Sequence, residues 1–155
     1  MNPRFSEATK ILDSMYNQLL AMPPVTAGSL PKTMPKKGIY LFSENGQHLY
    51  VGRSNNIQGR IGRHCRPGAT HRMAAFAFHL AREETGCLKA SYKKGGSRTA
   101  LMENPEFSNA FYKAKERIRK MDLRFIEVDK AIQQAIFEIY VSIALQTPYN
   151  DFETH

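Results

Sequence analysis

Residues 38–64 read GIYLFSENGQHLYVGRSNNIQGRIGRH, and this stretch decides the fold of the 155-residue chain. Two short runs of apolar and aromatic residues, 38–44 and 48–52, flank the dipeptide Asn45-Gly46. An Asn-Gly pair between two such runs is a strong signal for a β-hairpin turn. The sequence therefore predicts an antiparallel hairpin here.

A helix is expected directly after the hairpin. Asn55-Asn56 can cap its N-terminus, and Pro67-Gly68 ends it after about Arg66. Within this helix Arg60 and His64 are four residues apart, so their side chains lie on the same face.

The spacing of apolar residues predicts further elements on either side. They are an N-terminal helix over 5–20, helices over 70–86 and from Asn104-Pro105 to about Lys120, a strand over 123–128, and a final helix from about Lys130 to Gln146. We expect Asp129 to cap the final helix. Its apolar stripe runs through Ile132, Ala135, Ile136, Ile139, Val141, Ile143 and Leu145.

Together these elements predict an α+β fold, with a small antiparallel sheet of the hairpin plus one further strand covered by helices. The length of the chain suits a single domain over 1–155. After the N-terminal helix we distinguish a motif core over 38–66, a basic helical insertion over 67–121, and the last strand and helix over 122–150.

The composition narrows the class of protein. A net charge of +8 suits a polyanionic partner, because neutralising phosphates releases condensed counterions. No segment approaches the roughly 20 apolar residues that span a bilayer, and the N-terminus lacks a signal pattern. We therefore expect a cytoplasmic protein with no membrane partner and reduced cysteines. A zinc site is the less favoured alternative, because the spacing of its ligands fits no tight pattern. Those ligands would be Cys65, His71, His79 and Cys87.

The chain resembles the GIY-YIG nuclease family in six features that occur in the order of that family. These are Gly38-Ile39-Tyr40, Tyr50-Val51-Gly52, Arg60, His64, Glu138 and Asn150. The two triplets alone form a weak pattern, and the later residues make it specific. The resemblance is tight over residues 38–66 and looser over 122–150, whereas 67–121 carries no matching motif.

The resemblance implies a divalent-metal-dependent endonuclease that hydrolyses phosphodiester bonds in DNA, with RNA not excluded. Glu138 would hold one Mg²⁺ or Mn²⁺ ion through its carboxylate oxygens. Arg60 would bind a phosphate, and Tyr40 would activate or position the attacking water. Asn150 would donate to a backbone or phosphate oxygen. The catalytic residues implied in this way are Tyr40, Tyr50, Arg60, His64 and Asn150.

Further cations are candidate nucleic-acid-binding residues. They are Arg53, Arg63, Arg66, Lys93, Lys94 and Arg98. The last three belong to the basic stretch 89–98, for which a solvated loop and a substrate arm fit equally. The oligomeric state is open, and a dimer is compatible with the sequence. Two other classes of function also stay open: a nucleic-acid-binding module with the same fold and little or no catalytic activity, and a structural or protein-interaction domain.

Overall fold

The computed structural model describes residues 1–87 and 97–153. Its elements are α1 (Pro3–Thr9), α2 (Leu12–Ala21), β1 (Gly38–Glu44), β2 (Gln47–Ser54), α3 (Ile57–Cys65), α4 (Ala75–Thr85), α5 (Arg98–Glu103), α6 (Pro105–Arg119), β3 (Asp122–Glu127) and α7 (Ala131–Leu145). The strands form one antiparallel sheet in the order β2-β1-β3, which confirms the predicted α+β fold. The chain divides into two compact units: the sheet unit, Met1–Arg60 with Met121–His155, and the helical unit, Ile61–Lys120.

The hairpin of β1 and β2 forms as predicted. Asn45 and Gly46 both have a positive φ, of 53° and 78°. Two successive left-handed residues match the right-handed twist of the flanking strands, which is why Asn-Gly closes hairpins so well. In the resulting register Tyr40 pairs with Gly52, and Phe42 pairs with Tyr50. This register brings the two motif tyrosines close to each other across the strands.

Neither motif glycine, Gly38 or Gly52, has room for a side chain. A Cβ atom on Gly38 would lie 1.9 Å from the carbonyl oxygen of Ile126 on β3. A Cβ atom on Gly52 would lie 2.3 Å from the Cζ and hydroxyl oxygen of Tyr40. Since no side chain fits at either distance, Gly38 allows β3 to pair with β1, and Gly52 allows the ring of Tyr40 to cross the hairpin.

The core of the sheet unit lies between the sheet and helices α2 and α7. Its buried members are Leu12, Met15, Leu19, Ile39, Leu41, Val51, Ile126, Val128, Phe137 and Val141. Burial of such aliphatic and aromatic side chains supplies the main favourable free energy of folding. The core therefore holds α7 against the hairpin strands.

The N-terminal helix differs from the prediction of one helix over 5–20. It is divided into α1 and α2, which end and begin on either side of Lys10 and Ile11. The hydroxyl of Thr9 donates to the carbonyl oxygens of Phe5 and Ser6, at 3.0 and 3.2 Å. Such bonds from a threonine side chain compete with the helical hydrogen-bond ladder. Pro23-Pro24 follows α2, as expected.

Two predictions for the final helix differ from the structure, the second of them only in part. Lys130, not Asp129, stands at the N-cap of α7, and it makes no side-chain capping bond. The expected apolar stripe faces the core only in part: Val141 is buried and Ile136 and Leu145 pack against the core, whereas Ile132 and Ile143 are 69% and 72% exposed. The helix is apolar on almost every side, so the spacing of apolar residues could not select the buried face. That face carries Gln134, Phe137 and Val141.

The helical unit contains α4, α5 and α6. Helix α6 begins at Asn104-Pro105 as predicted, and the carboxamide oxygen of Asn104 caps it by accepting hydrogen bonds from the backbone N–H groups of Glu106 and Phe107. Phe78 of α4 packs against Phe107, with ring centroids 5.0 Å apart. Helix α5 was not predicted, and its N-terminus is capped by the hydroxyl oxygen of Ser97, which accepts from the N–H of Ala100. Over the described ranges 1–87 and 97–153, no helix has the length and apolarity to cross a bilayer.

Candidate active site

Two tyrosines and one arginine share hydrogen bonds in the sheet unit. The rings of Tyr40 and Tyr50 lie 6.3 Å apart between centroids, inclined at 37°. The guanidinium group of Arg60, on the first turn of α3, is hydrogen-bonded to both phenol oxygens, and the two hydroxyls also bond to each other. The start of α3 is fixed by Asn56, whose side-chain oxygen accepts from the N–H of Gly59 at 3.1 Å. The cap at the start of α3 therefore helps to position Arg60 next to the two tyrosines.

Burial raises the pKa of both tyrosine hydroxyls. Only 1% of Tyr40 is exposed, and its burial raises the pKa of its hydroxyl far above the ordinary value, an increase to which Tyr50 adds. Arg60 lowers the pKa of Tyr40 by less than burial raises it. Burial likewise raises the pKa of Tyr50. Tyr40 is therefore a phenol that donates and accepts hydrogen bonds, and the general-base role expected of it needs a further source of positive charge.

Glu138 lies on α7, where the core packing described above holds it beside the hairpin. Its Oε2 atom is 3.0 Å from Nε of Arg53, and 20% of its side chain is exposed. Burial raises the pKa of the Glu138 carboxyl, and the guanidinium group of Arg53 opposes that rise. The charge of Glu138 in turn raises the pKa of both Tyr40 and Tyr50. The carboxylate is thus close enough to act electrostatically on the tyrosine pair.

A buried glutamine positions the helix that carries Glu138. Gln134 precedes Glu138 by one helical turn and is 2% exposed. Its Nε2 atom donates to the carbonyl oxygen of Val128 at 2.7 Å and to the side-chain oxygen of Asn55 at 3.2 Å. These bonds tie α7 to the residues before α3, and so relate Glu138 to Arg60. The sequence analysis missed Gln134, although a polar residue within a very apolar helix was a usable signal.

Asn150 acts on the backbone of the second motif strand. Its Oδ1 atom accepts from the N–H of Val51 at 2.9 Å, and its Nδ2 atom donates to the carbonyl oxygen of Val51 at 2.7 Å. The N–H of Tyr149 also donates to the carbonyl oxygen of Leu49. The carboxamide thus pairs with the edge strand β2 as a neighbouring strand would. Because Val51 uses both of its polar groups, Asn150 holds the strand that carries Tyr50.

His64 belongs to the helical unit. It lies on the last turn of α3, fully buried, and its ring packs edge-on against Phe76 of α4 with 6.3 Å between ring centroids. The catalytic role that the resemblance implies for His64 stays a prediction.

The other candidate cations are exposed or lie outside the described residues. Arg63 and Arg66 are exposed at the end of α3 and just after it. Arg98 is exposed and lies over the ring of Phe78, 5.1 Å from its centroid. Lys93 and Lys94 fall outside the described ranges, as does most of the basic stretch to which they belong.

The donor set at Glu138 fits a hard divalent cation. In the described part of the chain, no three His, Cys, Asp or Glu side chains gather as they would around a structural metal. One carboxylate suffices for Mg²⁺ or Mn²⁺, which keep several waters and complete their coordination with substrate phosphate. Cys65, a candidate for the alternative zinc site, is a buried free thiol that donates to the carbonyl oxygen of Ile61.

The sheet unit thus places two tyrosines that share an arginine beside a helix that carries a carboxylate. The family model described as the GIY-YIG catalytic domain matches residues 36–150. This match covers most of the chain, which therefore belongs to the GIY-YIG nuclease family. Comparison with curated proteins finds no match, and neither does comparison with solved structures.

Proposed function

We propose that the protein is a divalent-metal-dependent endonuclease that hydrolyses phosphodiester bonds in DNA through a single-metal site. The observation that supports the proposal is the match of residues 36–150 to the GIY-YIG catalytic domain, within which Tyr40 and Tyr50 lie together on the hairpin and Glu138 contacts the same hairpin through Arg53. Phosphodiester hydrolysis needs a cation held near an activated water and a donor for the phosphoryl oxygens. The sheet unit offers candidates for both.

Glu138 is the residue that would hold the metal. Its partly exposed carboxylate presents hard oxygen ligands, and water and phosphate would complete the coordination of the ion. The ion, Mg²⁺ or Mn²⁺, would supply Lewis-acid stabilisation and lower the pKa of a bound water. Arg60 would donate two hydrogen bonds to the scissile phosphate, a geometry that a lysine cannot reproduce.

The tyrosines would orient the attacking water. Since the pKa of Tyr40 is raised, its hydroxyl acts first as a hydrogen-bond partner that fixes the water relative to the phosphate. It would accept a proton only when positive charge near it lowers that pKa. Tyr50 would hold Tyr40 and Arg60 in place through the shared hydrogen bonds, and Asn150 would hold the strand below Tyr50.

The polyanionic substrate would be bound outside the reacting atoms by cations. Candidates are Arg53, Arg63, Arg66, Lys93, Lys94 and Arg98. Contacts of this kind weaken steeply with salt, because each neutralised phosphate releases counterions. His64 keeps the role of orienting the water or the phosphate that the family resemblance implies.

Supercoiled plasmid incubated with the purified protein tests the proposal. We expect nicking with Mg²⁺ or Mn²⁺ that EDTA abolishes. Glu138→Gln keeps the shape of the side chain and removes its charge, and we expect it to lower the nicking rate about 100-fold or more while the protein stays folded. Glu127→Gln, at an exposed glutamate on β3, is the matched control and should leave the rate unchanged.

Two results would overturn the proposal. Robust nicking by Glu138→Gln in metal would remove Glu138 from the metal site. Binding of duplex DNA without nicking under either metal would favour the alternative of a nucleic-acid-binding module. Parallel digestion of an RNA duplex separates DNA from RNA as substrate.

A further inference from the structure

Glu138 is already neutralised by a cation of the protein itself. Nε of Arg53 lies 3.0 Å from its Oε2 atom, so the guanidinium group stands at the carboxylate to which the proposed function assigns the metal. The two side chains come from elements 85 residues apart in sequence, β2 and α7. The ion pair is therefore a tertiary contact at the centre of the candidate site.

The two partners are held very differently. Glu138 is 20% exposed and lies on α7, which Gln134 and the core hold in place. Arg53 is 48% exposed and lies on the edge strand β2. A long, half-exposed arginine side chain changes rotamer readily, and an ion pair of this exposure is weak. The carboxylate is thus fixed and the guanidinium group is free to leave it.

We propose that Arg53 is an exchangeable counter-ion of Glu138: a divalent cation displaces it, and the released guanidinium group then binds a phosphate of the substrate. This inference rests on the proposed function and adds to it a coupling between metal binding and substrate binding. Because the same carboxylate cannot serve both cations fully, metal binding frees Arg53, and substrate bound to Arg53 leaves Glu138 open to metal. Each ligand therefore raises the affinity for the other.

Metal binding without turnover gives the first test. Mn²⁺ is titrated into the full chain, and the free ion is followed by its electron paramagnetic resonance signal. If Arg53 competes with the metal, Arg53→Gln binds Mn²⁺ about two- to fivefold more tightly than the natural chain, the range expected for removal of a weak ion pair. Lys10→Gln removes a cation from the exposed pair with Glu7 and should change nothing.

The sign of the effect separates this role from a merely structural one. If Arg53 only held Glu138 in position, Arg53→Gln would bind Mn²⁺ more weakly, and the inference would be overturned. Equal affinity would overturn it as well. If Mn²⁺ binding does not depend on Glu138, so that Glu138→Gln binds it normally, the proposed function itself fails. The two failures are therefore distinguishable.

Duplex binding in EDTA gives a second test that needs neither metal nor turnover. Fluorescence anisotropy of a labelled 20-base-pair DNA measures the affinity of the natural chain, of Arg53→Gln, of Glu138→Gln and of the double variant. Loss of the Glu138 charge should strengthen binding about two- to fivefold only where Arg53 is present to be released. A gain of the same size in the Arg53→Gln background would reflect simple relief of repulsion and would refute the exchange.

Discussion

Glu138 in the sheet unit and Lys115 in the helical unit are both charged groups withdrawn from solvent, but different partners hold their charge. The ammonium group of Lys115, whose side chain is on α6, donates to the carbonyl oxygens of Pro67 and Ala69 at 2.7 and 2.8 Å. It also lies 4.9 Å from the ring centroid of Phe111. These partners of the ammonium group are backbone oxygens and a packed ring, which cannot move away from it without a change in the fold.

Glu138, in contrast, is paired with a side chain that can leave. Arg53 is about half exposed and makes one hydrogen bond to it, at 3.0 Å. A buried charge with fixed partners stabilises one structure, whereas a half-buried charge with a movable partner is available to another cation. We therefore expect a structural role for the charge of Lys115, whereas the partner of Glu138 leaves it available for the metal-binding role that we propose.

The largest effect is expected at Lys115. Lys115→Met keeps the length of the side chain but leaves two carbonyl oxygens without their donor, and we expect it to lower the free energy of unfolding by about 3 kcal/mol. Urea denaturation followed by circular dichroism measures the loss. Lys113→Met, at an exposed position of the same helix, is the control. A loss below about 1 kcal/mol would mean that the carbonyl oxygens find other donors, and the contrast with Glu138 would disappear.

Asn150 sharpens the comparison because it is a predicted catalytic residue with fixed backbone partners. Asn150→Ala leaves the N–H and carbonyl groups of the buried Val51 unpaired, so we expect a loss of about 2 kcal/mol, together with slower nicking. Asn150→Asp should cost a similar amount, because it turns a carboxylate oxygen towards the carbonyl of Val51. Asn109→Ala, on the exposed face of α6, controls for loss of a carboxamide. Slower nicking at full stability would instead support direct contact of Asn150 with phosphate.

These cases also show how far the sequence alone reaches. The hairpin was predictable because Asn45-Gly46 is a local signal, and α6 was predictable because Asn104-Pro105 is another. The buried face of α7 was not, since apolar residues surround that helix. The pairing of Asn150 with Val51 spans 99 residues, and no local spacing encodes a partner chosen by tertiary packing. Candidate site residues could therefore be named from the sequence, whereas their hydrogen-bond partners could not.

Tyr40 offers an intermediate case, in which burial fixes the protonation state. Its pKa is raised in the folded protein above the ordinary value of 10.0, so between pH 10 and 12 the unfolded chain releases a proton that the folded chain keeps. Stability contributed in this way is present below pH 10 and is lost as the pH rises, by about 1.4 kcal/mol per pH unit.

We expect Tyr40→Phe to reduce the slope with which the free energy of unfolding falls above pH 10, by about 1.4 kcal/mol per pH unit. Urea denaturation at several pH values from 9 to about 11.5 measures the slope for the natural chain and the variant. Tyr112→Phe, whose ring is exposed, controls for loss of a hydroxyl group. Identical slopes for the natural chain and Tyr40→Phe would mean that the phenol of Tyr40 is accessible to hydroxide, and so less buried than its contacts indicate.

The smallest effect on stability is expected at Arg53, the residue whose substitution also tests the proposed exchange with a metal ion. Arg53→Gln should change the free energy of unfolding by less than about 1 kcal/mol, because a half-exposed ion pair contributes little and is screened by salt. Urea denaturation at low and high salt, in the absence of metal, measures this change. A loss comparable to that of Lys115→Met would mean that Arg53 is a fixed partner like the carbonyl oxygens. A guanidinium group bound so firmly could not be exchanged for a metal ion, so a weak pair is a condition for the exchange.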